Sequence, residues 1–179
     1  MASAVRPAFI AMLLLAPLAG AIAQEGYDPE ARIEQLGLKL PPQNSPVANY
    51  VRAVRTGNLL FVSGHGECGT PFATGKAGGG VTLDSAYAAA RRVGLCLLSS
   101  LKVELGDLRR VKRIVRVTGM VNATPDFADH PKVLDGCSDL MVAVFGDRGR
   151  HARSVVGTSS LPFNRIVSIE LIVEIDDRP

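Results

Sequence analysis

Tryptophan is absent from this chain, and aromatic side chains make up only 5% of its 179 residues. A core built without them must come from Val, Leu, Ile and Ala, and 47% hydrophobic content beside 21% charge supplies it. That balance suits a soluble globular chain with one domain-sized core. Cysteine is scarce too: Cys68, Cys96 and Cys137 allow one disulfide at most and leave a free thiol, so cross-links do not hold the fold together. No apolar run approaches the ~20 residues a membrane span needs. An excess of one charge is also missing: beyond residue 23 there are 19 Lys and Arg against 17 Asp and Glu, a net +2. A nucleic-acid or membrane surface is therefore not expected. The densest basic cluster, Arg109, Arg110, Lys112, Arg113 and Arg116, has no interleaved aromatics and reads as a solvated turn and strand edge.

Catalytic signatures are equally sparse. No GxSxG elbow and no protease-like Cys/His/Asn order occurs. Gly64 to Gly69 spells GxGxxG, but Pro71 and three glycines at 78–80 follow, and no helix opens before Thr82. A dinucleotide fingerprint must lead straight into a helix, so this stretch reads instead as a loop forming a cleft wall. His65, Cys68, His130 and Cys137 match no paired-ligand spacing. Neither a metal nor a cofactor is expected.

What is present begins with a leader. Arg6, the short apolar run Phe9 to Leu18, and Ala21-Ile22-Ala23 predict a secretory signal peptide over 1–23, cut after Ala23. A periplasmic or secreted protein with no further membrane attachment is the expectation. Residues 24–48 read as a short helix and a linker: Asp28 caps, Pro29 takes the first helical position, Gly37 stops the helix, and a Pro-rich run follows. The domain proper spans 49–176.

Within it, Tyr50 to Arg55 and Leu59 to Ser63 predict a hairpin whose second strand is buried on both faces. Thr82 caps a helix ending at Leu105 and Gly106. Val111 to Val121 predicts a strand with Val111, Val115, Val117 and Val121 on one face. A second helix covers Lys132 to Phe145, with Gly146 as its stop. Two final strands run from His151 and to Ile175; in the last, Val167, Ile169, Leu171, Val173 and Ile175 alternate with Ser168, Glu170 and Glu174. The order ββαβαββ gives an α+β fold in which two helices cover one face of the sheet. The uncovered face then calls for a second subunit. Arg153 and Glu170 fall on what read as neighbouring strands. On spacing alone they fit either a sheet-edge arginine beside an exposed glutamate or a small anion-binding site.

Several of these segments together resemble one family. Asn49-Tyr50-Val51, Val62-Ser63-Gly64, Ala123 to Phe127, Ala152-Arg153-Ser154-Val155-Val156-Gly157, Leu161-Pro162 and Ile169-Glu170 are similar to the Rid (YjgF-type, reactive intermediate deaminase) proteins. The closer likeness is to the YjgF/chorismate-mutase-like branch, which carries an endoribonuclease label. The resemblance implies a chorismate-mutase-like fold and a homotrimer with clefts between subunits. It implies that Arg153 grips a substrate carboxylate with its bidentate fork. Glu170 would orient the water that attacks a 2-imino or 2-enamino acid, giving a 2-oxo acid and ammonia without a cofactor. Tyr50 and Gly64 would line the cleft, and Ser138 would stand where relatives offer an Asn. Val155 replaces the Cys found two residues after the arginine in many deaminases. The alternatives are a trimeric module that binds small carboxylate metabolites without turnover, and an RNA-cleaving protein.

Overall fold

The computed structural model describes residues 27–43 and 48–176; the leader expected at 1–23 lies outside them. The chain opens with α1 (Pro29–Gln35), where the Asp28 carboxylate accepts from the amides of Glu30 and Ala31 at 3.0 Å. A hairpin follows, β1 (Ala53–Thr56) and β2 (Leu59–His65). The Gly-rich stretch after it is not a plain loop, since β3 (Lys76–Ala77) and β4 (Gly80–Val81) pair in parallel within it. Then come α2 (Leu83–Leu105), β5 (Val111–Asn122), α3 (His130–Phe145), β6 (Ala152–Thr158) and β7 (Val167–Ile175). Thr82 caps α2 through its hydroxyl, and Gly106 ends it at φ +73°, a left-handed turn that only glycine adopts without strain.

The expected ββαβαββ order holds for the main sheet, whose five strands lie β1-β2-β7-β5-β6. The β5–β6 pair is parallel and the rest antiparallel, so the sheet is mixed. Both long helices pack on one face. Leu60, Val62, Val117, Ile169, Leu171 and Val173 meet Leu97, Leu98, Leu101, Leu134, Leu140 and Met141 there, all within 4% exposure. At about 25 cal/mol per Å² of apolar area, this roofed face supplies most of the folding drive.

Two sequence expectations give way. β2 is not buried on both faces: Leu60 and Val62 are covered, but Phe61 is 42% exposed on the side away from the helices. Two helices roof one face only, so alternate residues of an apolar strand remain outside. In β5, irregular pairing with β7 between Val111 and Arg113 and between Ile114 and Arg116 shifts the alternation. Ile114 therefore turns inward and Val115 is only half-buried.

The helices close on each other with backbone contact. A Cβ added at Gly136 of α3 would sit 2.1 Å from the Tyr87 carbonyl oxygen of α2. Where α2 meets β2, His65 is tied at both ring nitrogens, to the Ser63 carbonyl at 2.6 Å and the Ser100 hydroxyl at 2.7 Å. Burial holds its pKa below the ordinary histidine value; the Ser63 bond works the other way and the Arg52 charge adds to the depression.

Gly136→Ala should cost at least about 3 kcal/mol, because neither helix backbone can yield cheaply, and the melting temperature should fall accordingly. Histidine kept neutral in the fold takes up its proton more readily once unfolded. Stability in denaturant should thus hold above about pH 6.5 and decline below it as the pH falls toward the folded-state pKa. His65→Gln should reduce that slope; an unchanged slope would assign the pH dependence elsewhere.

Candidate active site

The predicted site residues form two poles on opposite sides of the sheet. The first is built on β2 and β7. Glu170 stands exposed on the unroofed face, opposite Thr118 of β5. Gly64 leaves it open: a Cβ there would reach 3.7 Å from the Glu170 Oε1 and 3.3 Å from the Ser168 hydroxyl. Tyr50, just before β1, is 55% exposed, with its ring bordering a cavity of about 270 Å³ that Ser63, Gly64, His65 and Phe72 also line. Ser63 lines both this cavity and the neighbouring depression that holds Glu170, and its hydroxyl donates to the Val51 carbonyl at 2.7 Å.

The second pole is built on β6 and α3. The Arg153 Nη1 donates to the Asp135 carboxylate at 2.6 Å and to the Ser138 hydroxyl at 3.2 Å. Ser138 pairs with the His151 Nε2 at 3.0 Å, and the His151 Nδ1 meets the Gly149 carbonyl at 2.6 Å. A carbonyl can only accept, which assigns the hydrogen to Nδ1 and makes Nε2 the acceptor for the serine O–H. Burial holds the His151 pKa down against the Gly149 bond, and the Arg153 charge adds to the depression. The neutral ring therefore suits this chain. The result is directional: Arg153 to Ser138 to His151 to backbone. It fixes one edge of the guanidinium and leaves the other N–H groups for a ligand.

Cys137, beside this chain on α3, is fully buried, and burial pushes its thiol pKa up to about 12. It is protonated and sealed from substrate, so it is no nucleophile. The other cysteines, Cys68 and Cys96, form a disulfide that fastens the loop after β2 to α2.

The sequence expectation that Arg153 and Glu170 occupy neighbouring strands is corrected here. β5 lies between β6 and β7. Arg153 pairs with Val117, which pairs with Leu171, and both partners are buried under the helices. Glu170 belongs to the next row, facing the other way. Within one chain the structure brings Tyr50, Gly64 and Glu170 toward one side, brings Arg153 and Ser138 together on another, and does not join the two groups. Asp135 and His151 were missed as partners of Arg153. The i, i+3 spacing of Asp135 and Ser138 was the available signal, since it sets both on one face of α3.

Residues 30–175 match the family described as YjgF/chorismate mutase-like, putative endoribonuclease. Protein TCP17 of Trypanosoma cruzi is 40% identical over 154 residues, covering 82% of this chain and 94% of that protein. The crystal structure of Atu1372 from Agrobacterium tumefaciens, a protein of unknown function, is 40% identical with a TM-score of 0.76, over 83% of this chain and 94% of that one. That of a putative endoribonuclease from Shewanella oneidensis is 33% identical with a TM-score of 0.79, over 83% and 99%. With a mixed sheet roofed by two helices and a sequence match reaching from α1 to the end of β7, the chain belongs to the YjgF/chorismate mutase-like family.

Proposed function

We propose that this chain is an exported imine deaminase that works as a homotrimer, with each site shared between two subunits. The observation that carries the reading is the split of the site residues. Arg153 waits at the edge strand of one face with part of its fork unspent, while Glu170, Tyr50 and Gly64 wait on the other. A neighbouring copy seated on the unroofed face would set one chain's arginine opposite the next chain's glutamate. That face supports such seating: Val54 and Val156 are each 56% exposed there and Phe61 is 42% exposed, an apolar surface that gains by leaving water. The disulfide suits the oxidising compartment to which a cleaved leader over 1–23 would send the chain.

In the shared site Arg153 binds the carboxylate of a 2-imino acid. Glu170 takes a proton from water as its oxygen bonds to the imine carbon and the C=N π pair moves to nitrogen. Glu170 returns that proton to the nitrogen, the hydroxyl proton passes to it as well, and ammonia leaves with the C–N pair as the C=O bond of the 2-oxo acid forms. Water is the only co-reactant. Val155 supplies no thiol, so the chemistry rests on the carboxylate and the arginine. A trimer that binds the same acids without turnover is the second reading, favoured by the Asp135 carboxylate already held at 2.6 Å by Arg153.

Ammonia release from freshly generated 2-aminoacrylate should be catalysed by the wild type, and Arg153→Ala should lose at least about 2–3 kcal/mol of transition-state stabilisation. Mixing inactive Arg153→Ala and Glu170→Ala chains through unfolding and reassembly should restore about a quarter of the sites, because random trimers pair intact residues across that share of interfaces. Binding of 2-oxo acids without turnover would favour the module. Turnover with no recovery on mixing would place both residues' work within one chain.

A further inference from the structure

The cavity beside Gly64 contains a cation that the deaminase reading does not use. Arg165, just before β7, lays its guanidinium over the Phe72 ring at 3.8 Å from the ring centre. Its stem lies where a side chain at position 66 would be: a Cβ on Gly66 would come within 3.0 Å of the Arg165 Nη1 and closer still to its Cδ. One N–H group donates to the Glu67 carbonyl. The turn that delivers Arg165 has left-handed backbone at Phe163, φ +58°, and Asn164, φ +53°, a conformation costly for side-chain-bearing residues. Stacking, a glycine cleared for the stem and a backbone anchor together hold this side chain at the cavity wall.

No carboxylate among the described residues pairs with it. Glu67, the nearest acid, turns its side chain to Arg92 instead, with bonds of 2.6 and 3.1 Å, and Arg52, also on the cavity wall, pairs with Glu104 at 3.1 Å. Of the two guanidiniums that line the cavity, Arg165 is thus the one without a direct ion pair, with the Glu67 carboxylate near it but bonded to Arg92. Half-burial against Phe72 makes that charge seek an anion more strongly than it would in open water. Among neutral neighbours, Tyr50, Phe72 and His65 add flat, partly apolar walls.

The geometry points to a second anion subsite centred on Arg165, so that the acids this protein takes are dicarboxylates whose distal carboxylate enters the cavity past Gly64. This inference rests on the site reading above, in which the first carboxylate goes to Arg153. Ser63 lines both the Glu170 depression and the cavity, and Gly64 beside it puts no side chain between the cavity and the Glu170 carboxylate. At about 270 Å³ the cavity accepts a short aliphatic arm but is below the range of sites that enclose larger cofactors or nucleotides. The five unspent-and-spent N–H donors of a guanidinium suit a carboxylate approached along its fork, which a lysine would not reproduce.

The test compares two stable product analogues, 2-oxoglutarate with two carboxylates and 2-oxobutanoate with one, by calorimetry on the full assembled protein. The wild type should bind the diacid about tenfold more tightly. Arg165→Met should erase that preference while changing 2-oxobutanoate affinity by less than about twofold, and Arg165→Lys should restore part of it. Arg153→Ala should weaken both. Equal wild-type affinity for the two acids would overturn the subsite and leave the site reading standing. Equal weakening of both by Arg165→Met would make the residue a structural support and overturn it too. Failure of either acid to bind the wild type would instead bring down the carboxylate clamp at Arg153, and the subsite with it. Should Arg165→Met not fold, Gly66→Ala, which crowds the Arg165 stem, should reduce the diacid preference in its place.

Discussion

Contact between the α2 and α3 backbones, closed where Gly136 lies against the Tyr87 carbonyl, is the constraint on which the remaining architecture depends. Because the helices sit so close, two of them suffice to cover one face of five strands. The same economy leaves nothing to cover the other face. Burial of apolar area is the main folding drive, so Val54, Phe61 and Val156 on that uncovered face contribute little of it within one chain. The helix seam and the bare apolar face are thus two sides of one allocation of hydrophobic residues.

Electrostatics divides the arginines by the company they keep. Arg153 is steadied by a carboxylate, a hydroxyl and, through it, a neutral imidazole, an arrangement that positions a fork without using all of it. Arg165 is steadied by an aromatic face and a carbonyl, which position it without neutralising it. Arg109, by contrast, is satisfied by Asp107 two residues away, and that pairing, through hydrogen bonds first, holds the Asp107 carboxyl down to about 2. Surface pairs of that kind contribute little to stability. The direction of a basic residue in this fold is thus set by packing and backbone in one case and by acids in the others.

Much of the fold was legible in the sequence because its signals are local. Asp28, Thr82, Gly106 and Gly146 mark helix ends through capping chemistry that operates within a few residues. The alternation in β7 is unbroken, and every second residue is buried as expected. β5 was misread because irregular pairing is a property of two strands, invisible in one. The strand order had the same effect on the site. Arg153 and Glu170 stand out by motif, but no local signal tells that β5 slides between their strands. Arg165 escaped notice for a related reason: Phe72, Gly66 and Glu67, which define its setting, lie almost a hundred positions earlier in the chain.

Three thiols can oxidise in three ways, and in this protein tertiary packing makes the choice. Once α3 has docked, Cys137 is sealed in the interior, and the remaining two sulfurs are each other's only partners. Helix docking thereby keeps the third thiol out of exchange with the Cys68–Cys96 bond, which spares that bond from reshuffling as long as α3 stays in place.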